Sequence, residues 1–235
     1  TRGSNGVILV TTKKGSKDGQ THASYSGTFA WDKVKKELDM MSAQDYRDVR
    51  LGWGDTGVDL GGNEDWLDAV TRTRFTMQHT LTLSGGNEKS NYRVSADYRN
   101  ANGIDLRSNR EEYGARASVS HTTKGGLFTI SANIAPRIIY RDNADWSVFR
   151  NAIEANPTTP IMNPENPNSY YNFQGQVVGS NPVELMKLEK DHADTKLLDW
   201  DGTLKLNLLP LFMPNAKYSQ NLSTQVTFAD HQYSN

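Results

Sequence analysis

The chain has 235 residues, a formal net charge of −1 and no cysteine, which excludes a disulfide framework, a thiolate metal site and a cysteine nucleophile. The near-zero net charge also gives no electrostatic reason to expect a nucleic-acid partner. Mean hydropathy is −0.69, and no run approaches the ~18 apolar residues of a membrane helix. Transmembrane β-strands are still allowed, because they need apolar residues only at alternate positions.

The predicted elements are almost all strands. The chain opens with an apolar run at 7–10 between a glycine-rich turn and a Lys-Lys-Gly sequence, which predicts one buried strand. After Gly19, apolar and polar residues alternate through most of the chain. This pattern predicts about seven strands of roughly ten residues, each with one apolar face. The predicted strands are 22–31, 76–84, 91–99, 112–121, 127–140, 197–208 and 218–228.

The connections between these strands differ in length in a regular way. Long ones, near 32–75, 100–110 and 141–195, alternate with short, turn-like ones. Short turns on one side and long loops on the other are typical of an outer-membrane β-barrel. Aromatic residues concentrate near strand ends, as expected of interfacial girdles, although cross-strand aromatic pairs occur in any sheet.

Short helices are predicted inside the long loops. Ser42 is a predicted N-cap, with Asp45 at the third helical position as in a capping box. A second helix is predicted over 64–70, and a third over 181–190 with Pro182 as its first residue.

Candidate ligand-binding residues are aromatic and lie in the long loops. Aromatic rings with amide neighbours commonly hold sugars, since the rings stack and the amides hydrogen-bond. The same rings could equally pack the loops onto the barrel. No nucleophile, carboxylate pair or metal-ligand spacing stands out, so neither catalysis, a metal nor a cofactor is predicted. The candidates are Trp53, Trp66, Trp146, Tyr170, Tyr171 and Phe173.

Several motifs carry a family resemblance. The opening "TRGSNGVILVTTKKG", with Arg2, Gly3, Asn5 and Gly6 in its turn, is followed in order by "ASYSGTFAW", "MSAQDYRDVR", "LSGGNEKSNYRVSADYRNANGI" and "ANPTTPIMNPEN" before "NPVELM". In these motifs the chain resembles SusC/RagA-like TonB-linked outer-membrane transporters. In that family the opening motif ends the plug domain and leads into the first barrel strand.

The resemblance implies a fold and a place in the cell. It implies an all-β, transmembrane antiparallel β-barrel in the cell outer membrane, of which this chain supplies about seven of an expected 22 strands. Residues 1–19 would be the last strand and exit of the plug. Residues 20–235 would be the N-terminal part of the barrel, a fragment of a longer protein whose long loops face outside.

The resemblance also implies a function. It is active import of oligosaccharides, less often peptides, with a SusD-like lipoprotein over the barrel and the TonB complex acting through a missing N-terminal region. The lipid bilayer and lipopolysaccharide would surround the barrel, and no covalent chemistry is expected.

Three other interpretations fit the sequence less well. A soluble carbohydrate-binding β-sandwich would have shorter strands and loops on both sides. A secreted glycan-degrading enzyme would need a positioned carboxylate pair. A passive porin would not carry the plug-like opening motif.

Overall fold

A computed structural model describes residues 13–35, 38–55, 57–188, 190–208 and 222–234. The predicted first strand and the turn residues Arg2, Gly3, Asn5 and Gly6 lie outside these ranges. The strands, in chain order, are β1 (Thr21–Asp32), β2 (Arg74–Gly86), β3 (Ser90–Asn102), β4 (Asn109–Thr122), β5 (Phe128–Asn143), β6 (Met162–Asn163), β7 (Asn166–Tyr170), β8 (Asp191–Asn207) and β9 (Ser223–Ser234).

Seven of these strands form one antiparallel sheet in the order β1-β2-β3-β4-β5-β8-β9, and β6 pairs only with β7. The prediction of an all-β fold with about seven long strands is confirmed. The strands have 12 to 17 residues rather than ten, because polar residues continue the backbone ladder beyond the alternating stretch. At one such extension, Asn143 of β5 still pairs with Asp191 of β8.

Four short helices lie in the long connections: α1 (Ala43–Gly52), α2 (Trp66–Val70), α3 (Ser147–Glu154) and α4 (Pro182–Leu188). The predicted capping box of α1 is confirmed, since the Ser42 hydroxyl accepts from the Asp45 N–H and the Asp45 carboxylate accepts from the Ser42 N–H. Helix α3 was not predicted, and α2 is shorter than expected. Among the described residues, no helix has the length and apolarity that would let it cross a membrane.

The register gathers the apolar residues of all seven strands on one face. Leu81 pairs with Ala96, Ala96 with Ala115, and farther along Ile134 with Trp200. This apolar face is exposed, with Ile130 54% accessible, whereas Glu112 on the opposite, polar face is 4% accessible. The sheet therefore has the reverse of the arrangement in a water-soluble domain, where the apolar face is the buried one.

Aromatic rings form a row across the apolar face near one edge of the sheet. Tyr25, His79, Tyr98, Tyr113 and Tyr140 each come from a different strand, and neighbouring ring centroids lie 5.0–6.4 Å apart. The Tyr25 hydroxyl lies 2.6 Å from Nδ1 of His79. Tyr98, Tyr113 and Tyr140 lie near strand ends, as predicted, whereas Tyr25 and His79 lie near the middle of β1 and β2.

The connections leaving this aromatic edge are the long ones, over 33–73 and 144–190, together with the shorter 103–108. The opposite edge carries the short turns at 87–89 and 123–127. The largest buried apolar cluster lies within the long connections rather than beneath the sheet, and its buried members are Trp66, Val70, Ala144, Val148, Ala152, Ala155, Phe173, Val178, Val183 and Met186. These connections form a second layer, the loop layer, with a core of its own.

The short connection 103–108 fastens the loop layer to the sheet. Asp105, which is buried, accepts hydrogen bonds from the N–H groups of Arg107 and Ser108. The Arg107 guanidinium then donates from Nε to the carbonyl of Asn143 at 2.8 Å, and from Nη2 to that of Asp191 at 3.3 Å. One arginine therefore ties this connection to the ends of β5 and β8.

The same connection also reaches the other long loop. Thr71 forms an isolated bridge with Asp105, and the Arg72 N–H donates to the Ile104 carbonyl at 2.6 Å. All three connections at this edge are consequently held together by main-chain hydrogen bonds and one guanidinium.

The pKa of Asp105 leads to a pH prediction. Burial alone would raise this pKa, but the hydrogen bonds from Ser108 and Arg107 hold it below its usual value. The pKa of Asp105 is lower in the folded than in the unfolded chain, so its ionised carboxylate stabilises the fold. This stabilisation is complete above the ordinary aspartate pKa of about 3.9. It is lost as the pH falls through the lower pKa that Asp105 has in the folded chain.

We expect Asp105→Asn to lower the free energy of unfolding by about 1–2 kcal/mol near neutral pH, and by progressively less below about pH 4. Thermal unfolding of the full-length protein in detergent, from neutral pH down to about pH 3, measures this difference. If the difference in stability between Asp105→Asn and the unaltered protein stayed constant across this pH range, the lowered pKa of Asp105 would be contradicted.

Candidate functional site

The loop layer is organised by two facing segments, 58–64 and 156–159, here called the clasp. Thr158 is fully buried, and its carbonyl accepts from the Gly62 N–H at 2.6 Å while its hydroxyl donates to the Val58 carbonyl at 2.9 Å. The Asn156 amide donates to the same carbonyl at 2.8 Å, and the Glu64 N–H donates to that of Pro157 at 2.9 Å. The two long connections are therefore joined by both main-chain and side-chain hydrogen bonds.

A buried amide, that of Asn181, completes this layer. Asn181 accepts from the N–H groups of Val183 and Glu184 and so caps α4, while its own amide donates to the Ile161 carbonyl at 2.9 Å. Pro182 follows as the first helical residue, as predicted. The motifs "ANPTTP" and "NPVELM" thus supply the clasp and the cap of α4.

Two of the six predicted ligand-binding residues lie in the core of the loop layer. Trp66 and Phe173 are 3% and 2% accessible, and their rings meet edge to face with centroids 5.5 Å apart. The Trp66 indole N–H donates to the Asn156 carbonyl at 3.1 Å. In this structure both rings contact protein on all sides, so they act here as packing residues that hold the clasp.

The other four predicted residues lie nearer the surface but do not form one cluster. Trp53 and Trp146 are 74% and 73% accessible. Trp53 ends α1 beside the guanidinium of Arg50, and Trp146 precedes α3 and stacks on Phe149 at 5.7 Å. Tyr170 and Tyr171 are half-buried against the core, with Tyr171 edge to face with Phe173. The ligand-binding role of all six residues remains a prediction.

A large open cavity of about 1090 Å³, here called the loop groove, lies in the loop layer. Its walls come from the segment 38–46 that leads into α1, from 63–67 and 152–157 around the clasp, and from 175–178. This size lies at or beyond the upper end of small-molecule pockets, which run to about 1,000 Å³. The groove is larger than the cavity of about 750 Å³ that lies over the polar face of the sheet.

The polar face of the sheet carries a connected set of charges. The buried carboxylate of Glu112 accepts from Arg137 Nη1 at 2.8 Å and from Arg110 Nε at 2.5 Å, and Arg99 lies 3.6 Å away. Arg137 also reaches across β4 to Asp97 on β3, at 3.2 Å. A carboxylate this buried needs such partners, because an unpaired charge away from water is costly.

Near the opposite edge, the polar face is approached closely by the chain leading into β1. A Cβ atom built on Gly15 would lie 2.2 Å from the Tyr92 carbonyl oxygen, so only glycine fits there. Lys13, two residues earlier, lines a cavity of about 750 Å³ over this face together with Arg93, Arg116 and Asp199. The Lys-Lys-Gly sequence at the end of the opening motif thus places the chain against β3.

Comparison with known proteins gives a consistent result. No protein-family profile matches the chain. It is 28% identical to the TonB-dependent receptor SusC of Bacteroides thetaiotaomicron over 92% of its length, covering 24% of that protein. It is 30% identical to TonB-dependent receptor P3 of Formosa agariphila over 63% of its length, covering 13% of that protein. The chain therefore spans a quarter or less of these relatives.

Solved structures of the RagAB peptide transporter have the same fold. In one of them the match covers 94% of this chain and 29% of the RagAB chain, with a TM-score of 0.71 and 15% sequence identity. In another, in the "open-open" state, it covers 87% of this chain and 28% of the RagAB chain, with a TM-score of 0.70 and 16% sequence identity. At this identity the match concerns the fold alone.

The sequence relatives belong to one class, the TonB-dependent receptors, and the chain shares its fold with the RagAB structures. The chain is thus similar to SusC/RagA-like transporters, and the resemblance that the sequence motifs indicated is confirmed.

Gly62 provides a test of the clasp. A Cβ atom at this position would lie 2.7–2.8 Å from backbone atoms of Thr158, Thr159 and Pro160, whereas one at Gly57 would meet nothing within 4 Å. We expect Gly62→Ala to destabilise the loop layer by about 1–3 kcal/mol, because backbone cannot give way as a side-chain tip can.

Native-state proteolysis of the loops in the full-length protein measures this cost. Gly57→Ala is the matched control and should leave cleavage unchanged. Equal cleavage of the two variants would show that the clasp does not limit opening.

Proposed function

We propose that this chain forms part of the wall and the outward-facing loops of an outer-membrane, TonB-dependent importer of oligosaccharides. The observation that carries the proposal is the exposed apolar face of the seven-stranded sheet, together with the sequence relationship to SusC. Residues 1–19 are proposed to be the end and exit of the plug, and 20–235 the beginning of the barrel.

The dimensions of the apolar face support a membrane position. On β5, Phe128 and Tyr140 are twelve residues apart (140 − 128 = 12) and both lie on this face. At ~3.3 Å per residue they are ~40 Å apart along the strand. A barrel tilt of ~40° reduces this distance to ~30 Å across the membrane, close to the apolar band of ~25 Å in such barrels.

The position of the polar face supports a lumen on the other side of the wall. Its charges are paired through Glu112, Arg137 and Asp97, an arrangement suited to a wet interior rather than to lipid. The long loops and the loop groove would then lie on the outer surface, and the turns at 87–89 and 123–127 on the periplasmic side.

The substrate class rests on the resemblance. SusC-like receptors are expected to take oligosaccharides, with a SusD-like surface lipoprotein as partner and TonB as the source of energy. The structural neighbours are titled peptide transporters, but their 15–16% identity carries the fold alone. Peptides are therefore the alternative substrate class within the same proposal.

Uptake by the intact receptor in its native host tests the proposal. Cells with and without the full-length gene would be given labelled oligosaccharides or labelled peptides, with and without a protonophore that abolishes the proton-motive force. Gene-dependent, energy-dependent oligosaccharide uptake is expected. Uptake of peptides alone would establish the alternative, and uptake of neither would overturn the proposal.

A substitution on the apolar face tests the membrane position. Ile134 lies midway between Phe128 and Tyr140 on β5, so Ile134→Lys would place a charge near the middle of the bilayer. We expect it to destabilise the folded barrel by about 2–4 kcal/mol. Asn133→Lys is the control, because this neighbour lies on the polar face beside Asp201.

The folded fraction in the outer membrane, measured by heat-modifiable migration, gives the result. If Ile134→Lys and Asn133→Lys lowered the folded fraction equally, the sheet would not have a single lipid-facing side.

The exposed tryptophans allow a test of sugar contact. If Trp53 and Trp146 stack on sugar rings, each change to alanine should weaken oligosaccharide binding about tenfold. Trp31→Ala is matched in exposure, at 72%, but lies on the apolar face of β1 and should not alter binding. Titration calorimetry on the full-length receptor measures the affinity for the oligosaccharide. Unchanged affinity in both loop variants would exclude sugar contact at these positions.

A further inference from the structure

We infer that His192, with Asp142 and Asp194, forms a pH-dependent link at the base of the long connection 144–190, firm when the imidazole ring is protonated and loose when it is neutral. These three residues are here called the histidine junction. The inference goes beyond the proposed import and rests on it in one respect. Only in the proposed orientation is the junction exposed to the pH of the medium outside the cell.

The junction lies where the sheet meets the loop layer. His192 pairs directly with Asp142 in the antiparallel register of β5 and β8, and Asp194 follows two residues later on the same face. One further pair, Asn143 with Asp191, separates the junction from the connection 144–190. Interactions among these side chains therefore help to hold the two ends of that connection together.

Both ring nitrogens of His192 face a carboxylate. Nδ1 lies 3.0 Å from Oδ1 of Asp142, and Nε2 lies 2.7 Å from Oδ1 of Asp194. A neutral imidazole has one N–H group and an imidazolium has two, whereas an ionised carboxylate can only accept. Both contacts are therefore hydrogen bonds at the same time only when the ring is protonated.

This arrangement distinguishes His192 from the other histidines. In the described ranges, His22 and His231 each pair with one carboxylate. The rings of His79 and His121 each face a hydroxyl group instead. At His192, loss of the proton would leave two carboxylates facing a ring that can donate to only one of them. The side chain of His192 is 53% exposed, so protons from solvent reach it.

The charged residues nearest to His192 in the chain are of both signs. Lys190 and Asp191 precede it, and Lys196 follows four residues later. As far as the structure describes the chain, none of the three forms a salt bridge with Asp142 or Asp194. Strand β9 begins to pair with β8 only at Lys196 and does not reach His192. The ring and its two carboxylates therefore form a self-contained set.

Two neighbouring elements contribute charges that differ from this set. On β4, the Glu111 carboxylate accepts from two tyrosine hydroxyls, at 2.8 and 2.7 Å. From the connection 103–108, Arg107 ties the last pair of β5 and β8 through main-chain carbonyls, and its guanidinium stays charged at any physiological pH. Loss of the imidazole charge should therefore loosen the base of the connection without detaching it.

The direction of the pH effect follows from the same contacts. The hydrogen bond to Asp142 raises the pKa of His192 above its ordinary value, desolvation opposes this, and the charges of Asp194 and Asp142 add to it. The stabilisation is therefore complete below the ordinary histidine pKa of about 6.5. It is lost as the pH rises through the higher pKa that His192 has in the folded chain.

Hydrogen exchange of the full-length protein in detergent tests the inference. Protection of the backbone in 140–146 and 190–195, corrected for the intrinsic exchange rate at each pH, would be measured by mass spectrometry from about pH 5.5 to about pH 8.5. We expect protection to fall about threefold as the pH rises, a size typical of exposed ion pairs. This range lies well above the one in which Asp105 titrates.

Two substitutions of His192 separate charge from shape. His192→Lys keeps a positive charge throughout the range and should retain the high protection at every pH. His192→Gln carries no charge and should show the low protection at every pH. His22→Gln is the matched control, because His22 also pairs with a carboxylate, Asp18 at 2.6 Å, but lies near the opposite edge of the sheet. It should leave the pH dependence of these segments unchanged.

The link would be overturned if protection in the unaltered protein did not change with pH, or if His192→Gln kept the pH dependence. Heat-modifiable migration identifies a variant that does not fold, and the pH profile of the unaltered protein then decides. The uptake assay is separate from these outcomes. A pH-dependent junction without energy-dependent uptake rejects the proposed import and keeps the link, whereas normal uptake with pH-independent protection rejects the link alone.

Discussion

The structure depends on an antiparallel backbone ladder that joins seven strands from β1 to β9. Each interior strand of that ladder pairs with a neighbour on both sides, so most of its backbone N–H and C=O groups do not need water. Because successive side chains point to opposite faces, the same ladder sorts the residues into an apolar and a polar surface. In the proposed membrane position, the apolar surface would contact lipid and the polar surface would face the interior of the barrel.

The sheet and the loop layer are stabilised in different ways. The sheet relies on main-chain hydrogen bonds and keeps its apolar residues on the outside, whereas the loop layer buries apolar side chains such as Trp66 and Phe173 in the manner of a water-soluble domain. Arg107 and Asp105 join the two parts at the edge of the sheet. The chain thus combines a wall suited to lipid with a small, water-soluble type of core above it.

The sheet could be predicted from the sequence because strand patterning is local. Alternation with a period of two is visible within ten residues, and the register then follows from placing the apolar residues of neighbouring strands on the same face. The capping box at Ser42 and the start of α4 at Pro182 are equally local, and both were predicted correctly.

The loop layer could not be predicted in the same way. Its contacts join residues far apart in the chain, such as Trp66 with Asn156 and Leu60 with Thr158, separated by 90 and 98 positions. No periodicity encodes such pairs, so buried Trp66 and exposed Trp53 look alike in the sequence. For α3, the spacing of Val148, Ala152 and Ala155 does carry a helical signal, which its irregular, proline-rich surroundings obscured.

The small hairpin of β6 and β7 lies in the long connection 144–190 and is not part of the seven-stranded sheet. It pairs only with itself, and the turn between its strands, with Asn166 and Asn168 after it, is exposed. A foreign peptide inserted at this tip would interrupt neither the ladder, the clasp nor the groove. In the proposed orientation it would project from the cell, which makes the hairpin the natural position for an affinity tag, a fluorophore or a displayed antigen on living bacteria.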